Sequence, residues 1–248
     1  MSKISTIEVT QLAPVLGKVK EKSSGCQTLE EAAQRVADVF YNEFSDSIAL
    51  VRMYATVPFG KLPAANSAFV SRLAQTNGIT HLMKDNTLVL SLLGTRGIKP
   101  AWNDRRQSQG HVGIPLASAA FIDKIPMMSR LLKEVGMDLD WIDRHDVDIV
   151  MKAMGRTSGV FYVQDARTAV DQHGRKIIAA QDFVEAHQVQ TVFGLAGGYA
   201  TSQVFVTLIV FCRESLAKTQ AALFTPVITG FKANTMTLAS SGAIFAKQ

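Results

Sequence analysis

With 248 residues, 47% of them apolar and 19% charged, the chain has ample material for a hydrophobic core, as one large domain or two small ones. The net charge of +5 is dispersed, densest at residues 18–22 and at Arg105-Arg106, and no basic stripe interleaved with aromatics marks a nucleic-acid surface. Two cysteines, Cys26 and Cys212, make neither a disulfide framework nor a cysteine metal cluster. The N-terminus lacks the apolar core of a signal peptide and no window reaches membrane-spanning length, so the reading is a soluble, cytoplasmic protein.

Residues 1–27 read as an N-terminal extension, irregular around Pro14 and Ser23-Ser24-Gly25, with Leu12, Val15, Leu16 and Val19 near helical spacing. Thr28 and Glu31 then stand at capping-box spacing. Leu29, Ala32, Ala33, Val36, Phe40 and Phe44 follow on one apolar face and predict a helix to about residue 44. Residues 47–57 predict the first strand. Leu50, Arg52, Tyr54 and Thr56 fall on one side, and the purely apolar side of Val51, Met53, Ala55 and Val57 is expected to face the core. A helix is expected over 66–75 and a strand over 86–94.

The segment 95–113 is a long connection with three glycines, Trp102, two adjacent arginines and His111, and such loops are often functional. Helical spacing returns over 114–136, with Pro126 limiting or kinking it, whereas 138–154 has no clean period. A strand is expected over 159–164, a polar insertion over 165–175, renewed strand character at Ile177-Ile178 and a helical turn over 181–186. The stretch 191–214 reads as two apolar strands reversing at Gly197-Gly198, the second running nine residues over 204–212 with Thr207 its only polar residue. A long C-terminal helix follows over 217–236, bent at Pro226.

No hydrolase, zinc-protease, P-loop or dinucleotide motif is present, and the glycine-rich run 194–198 lacks the lysine of a phosphate cradle. The five histidines share no helical metal spacing, although distant residues can converge on zinc. Arg144, His145, Asp146 and Asp148 form a local acid–base cluster or a solvated turn. Trp102, Arg105, Arg106 and His111 gather aromatic, cationic and imidazole groups on one loop. If it folds over the sheet, its guanidinium groups select an anionic or planar ligand, with Arg52 and Tyr54 meeting that ligand from the strand below. The alternative is a basic surface loop anchored by Trp102.

The runs Gln181-Asp182-Phe183-Val184, Thr191-Val192-Phe193-Gly194 and Gly197-Gly198-Tyr199, followed by 205–213, resemble the closing hairpin of GAF-like sensory domains. These domains belong to bacterial multidomain signalling proteins, including histidine kinases and GGDEF-type cyclases. The resemblance covers most of 28–238, with GAF and PAS domains hard to separate by pattern. It implies an α+β fold: an antiparallel sheet of about five or six strands, helices on one face and a small-molecule cavity under long loops on the other. It further implies a single domain over 28–248 acting as a non-enzymatic signal-input module, with ligand and cofactor unspecified. Apolar stripes on 28–44 and 216–236 suggest a homodimer, and a kinase or cyclase is the expected output partner. Other readings are a small enzyme using Asp104, His111 or His145, and a structural dimerisation domain.

Overall fold

Strands β1 (Ile48–Pro58) and β6 (Phe205–Cys212) pair antiparallel at the centre of a six-stranded sheet in a computed structural model of the protein. The structure describes residues 3–108, 110–143, 158–202 and 204–246. On the β1 side lie β2 (Leu88–Gly97) and the three-residue β3 (Gly113–Pro115). On the β6 side lie β5 (Thr191–Gly198) and β4 (Ser158–Val163). The order is β3-β2-β1-β6-β5-β4 with every pairing antiparallel. The five strands expected from the sequence all fall in this sheet. β3 was not expected, because three residues are too few to express a period.

Both faces of the sheet are covered. Strand alternation sends Val51, Met53, Ala55 and Val57, with Phe193, Leu195, Leu208 and Val210, into one core. Helices α1 (Val9–Ser23), α2 (Leu29–Glu43) and α9 (Thr225–Ser241) close that side. Thr28 caps α2 as expected, its hydroxyl accepting from Glu31 N (3.2 Å), while the Glu31 carboxylate reaches Gln27 N (2.9 Å), one residue further back than a capping box requires. Residues ahead of α2 also enter this core, through Ile4, Leu12, Val15 and Val19. The other side of β1, expected to be the polar one, is buried too: Arg52 and Thr56 are covered together with Leu50 and Tyr54. Over it lie the short helices α3 (Ala64–Thr76), α4 (Ala119–Asp123), α5 (Pro126–Glu134), α6 (Asp140–Asp143) and α7 (Gln181–Ala186), and their connections.

The architecture is α+β with the GAF-like plan that the sequence resemblance implied. Three local expectations need correction. Gly197 and Gly198 do not make the hairpin turn; both are in β5 with negative φ, and the chain reverses at 199–204, where Tyr199 N donates to Val204 O (2.9 Å). Gly197 is instead a point of close approach, since a Cβ there would lie 2.9 Å from Lys232 Nζ of α9. Pro226 bends no helix, whereas Pro126 limits one at its start, the first of the two roles expected of it. Each is in the first turn of one, where the missing N–H costs nothing, so the expected long helices are α4 then α5, and a short α8 (Lys218–Ala222) then α9. Ile177 and Ile178 form no strand but are buried below α7. The stripes read as dimer surfaces, including Val36 and Phe40 on α2 and Val227, Ile228 and Phe231 on α9, are buried within the chain. Among the described residues no helix is long and apolar enough to cross a membrane.

Candidate ligand-binding site

A cavity of about 450 Å³ lies on the loop-covered side of the sheet. Alternation along β1 puts Leu50, Arg52 and Tyr54 on its floor. The register sets Leu50 opposite Phe211 and Arg52 opposite Ile209, so β6 completes the floor with two large apolar side chains. The connection 98–112, the start of α5 with Met127 and Met128, and the stretch 177–183 line the rest.

Arg52 is the main polar feature. Only 8% of it is exposed. Its Nη1 donates to Gly110 O (2.7 Å) and more weakly to Tyr54 Oη (3.3 Å), and Nη2 donates to Ser108 Oγ (3.0 Å). Among the described residues no carboxylate pairs with it, and its buried Nε–H has no acceptor. Among the described residues no aspartate or glutamate lines the cavity, whereas Arg52, Lys99 and His111 do. His111 adopts left-handed backbone (φ 53°), uncommon for a residue with a side chain, and follows directly on the Gly110 carbonyl that Arg52 holds. Desolvation of its ring, and then the charge of Arg52, lower its pKa from the usual imidazole value.

One wall is aromatic. Trp102 packs edge-on against Phe183 (5.5 Å between centroids) and His187 (5.0 Å), and Phe183 stands on Phe211 (5.4 Å, 89°). Lys99 Nζ lies over the Trp102 ring at 5.3 Å. Desolvation and then the charges of Lys99 and Arg213 lower the pKa of His187.

Of the six residues singled out by sequence, Arg52, Tyr54, Trp102 and His111 meet at this cavity and Arg105 and Arg106 do not. The connection turns between Trp102 and Arg105, where Asn103 Oδ1 accepts from Gly97 N (3.0 Å), and sends both arginines toward the start of α2. Arg105 is buried there. Its Nε donates to Glu30 Oε1 (2.6 Å), its Nη1 to Asn66 Oδ1 (3.0 Å), and its guanidinium lies over Phe245 at 5.0 Å. Arg106, largely exposed, also reaches Glu30 (3.2 Å). Asp104 lies beside it, accepting from Arg106 N (2.9 Å), away from His111. The cluster at Arg144, His145, Asp146 and Asp148 lies outside the described residues. Sequence reasoning missed Ile177, Ile178 and Phe183 as lining residues; the isoleucine pair between two polar stretches was the available signal. Among the described residues no group of three or more metal-ligating side chains gathers.

No family model and no curated protein matches the chain. One similar solved structure is a far-red absorbing protein in its dark state with bound biliverdin IXa. It has a TM-score of 0.42 and 10% sequence identity, covering 90% of this chain and 98% of that one. The fold of the present chain follows from its own strand order and its two covered faces.

Proposed function

We propose that this chain is a signal-input domain that binds a small organic ligand in the cavity beneath the 98–112 connection and relays its occupancy to the terminal helices. The observation that carries the reading is Arg52: a buried cation on the floor of an apolar cavity, without a carboxylate among the described residues and with one donor unpaired. Burying a charge without a counter-charge costs several kcal/mol, and an occupant supplying acceptors offsets that cost. The volume falls in the range of sites for drug-sized molecules.

The relay runs through the same connection. Its Arg105 holds Glu30 at the start of α2, and the other oxygen of Glu30 accepts from Ala246 N (3.0 Å) in the tail after α9. Leu29 N and Glu30 N donate to Ala243 O (2.9 Å) and Ile244 O (2.8 Å), fastening that tail to α2. Ligand contact that moves 98–112 therefore pulls on the ends of α2 and α9. The output is a protein partner of the kinase or cyclase kind, or a second copy of the chain meeting exposed faces of α1 and α9, where Val9 and Met236 are exposed.

Mass spectrometry under non-denaturing conditions tests the binding step. The wild-type chain incubated with a small-molecule extract of its expression host is expected to retain a non-covalent added mass. Ile209→Trp, which fills the cavity floor, is expected to lose it while still melting cooperatively. A bare wild-type chain, or equal retention by both proteins, would overturn the reading.

A further inference from the structure

The charge and shape of the cavity restrict what fits it. Much of its lining is apolar, with Leu90, Ile114 and Ile209 from the strands and the Trp102–Phe183 pair among the residues that line it. Among the described residues three basic side chains, Arg52, Lys99 and His111, line it, but they are not equivalent. Lys99 is exposed and already lies over the Trp102 ring, so water and the ring satisfy it. Desolvation and the neighbouring guanidinium lower the pKa of His111, which keeps that imidazole neutral near pH 7. Arg52 is the buried charge left without a carboxylate among the described residues. Three of its four Nη–H groups go to a carbonyl and two hydroxyls, all neutral, which leaves one Nη2–H, and its Nε–H is buried without a partner. Tyr54 accepts from Arg52, so its own O–H remains to donate. One buried cation, one spare Nη2–H and one spare O–H together match a single acid group.

Resting on the reading above, we propose that the ligand is an amphipathic monoanion. Its flat apolar body packs against Trp102 and Phe183, and its one carboxylate or similar acid pairs with the Arg52 guanidinium and accepts from Tyr54 Oη. A dianion would have only exposed Lys99, already met by water and the Trp102 ring, for its second charge, and a cation would meet Arg52 with no acid among the described residues to receive it. A neutral ligand would leave the guanidinium charge uncompensated.

Calorimetric titration of the wild-type chain with three probes sharing one ring tests this: naphthylacetate, naphthylethanol and naphthylethylammonium. Naphthylacetate is expected to bind about tenfold or more tighter than the alcohol, as a charge-assisted hydrogen bond is worth more than a neutral one. The ammonium probe is expected to bind weakest. In Arg52→Gln the acid is expected to lose its advantage while the alcohol keeps its affinity. An alcohol or ammonium probe binding the wild type as tightly as the acid overturns the ligand class and leaves the cavity reading standing. Absence of binding by all three overturns both. The wild-type comparison stands even if Arg52→Gln fails to fold.

Discussion

Arg105→Ala is expected to lower the melting temperature by about 10 °C, although its loop suggested a ligand-binding role for Arg105. Its side chain is 3% exposed and that of its partner Glu30 is 8% exposed. Removing one member of a buried pair costs about 3–5 kcal/mol, because the other charge stays buried without its partner. For a chain of this size each kcal/mol is about 2–4 °C. Arg106, whose side chain is 53% exposed, touches the same carboxylate, but solvent screens it, and Arg106→Ala is expected to cost under about 1 kcal/mol. Differential scanning calorimetry of both variants separates the two roles. In a Glu30→Gln background the cost of Arg105→Ala should shrink by more than half, since no buried anion is then left behind. Equal melting temperatures for Arg105→Ala and Arg106→Ala would contradict the buried pair.

The second large effect is expected at Gly94. A Cβ at that position would lie 2.6 Å from the carbonyl carbon and oxygen of Ala33 and 2.7 Å from Gln34 N. These are backbone atoms of α2, and no side-chain rotation relieves them. The site is also tied down: Leu93 is the extra residue of a bulge opposite Met53-Tyr54, and the Gln34 side-chain amide donates to Thr95 O (3.0 Å) and accepts from Thr95 N (3.1 Å). Gly94→Ala must therefore push α2 off β2, at a cost of about 3 kcal/mol, the upper part of the range for overpacking. Gly17, in the middle of α1 with open space around its Cβ position, supplies the opposite case. Gly17→Ala is expected to stabilise by about 0.5–1 kcal/mol through helix propensity. Urea midpoints of the two variants should move in opposite directions, and a Gly94→Ala midpoint within error of wild type would refute the close approach.

The contrast between these positions bears on what the sequence made legible. The strands were readable because burial imposes alternation or a continuous apolar run, and α2 because Thr28 and Glu31 signal its start. The role of Gly197 was not readable, since it depends on Lys232 arriving from α9. The same holds within the candidate site. Arg52 could be assigned to one side of β1 by counting residues, and Trp102 and His111 reached the cavity as expected from their loop. Arg105 sits between them in sequence yet leaves for Glu30, because the turn fixed by Asn103 redirects the chain. Local composition shows that a loop carries cations. Which of them faces the sheet is decided by partners distant in sequence.

A ligand bound as proposed enters the loop-covered side of the sheet and not the helix-covered side. Isoleucine side chains are divided between the two, with Ile114, Ile177, Ile178 and Ile209 lining the cavity and Ile4, Ile48 and Ile228 in the core beneath α1, α2 and α9. Methyl-resolved NMR of the isoleucine-labelled chain titrated with naphthylacetate reads this directly, because an aromatic ring displaces the resonances of methyl groups packed against it. The account predicts saturable shifts at Ile114, Ile177, Ile178 and Ile209 with Ile4, Ile48 and Ile228 nearly unmoved. Shifts concentrated in the second group, or none in either, would contradict it.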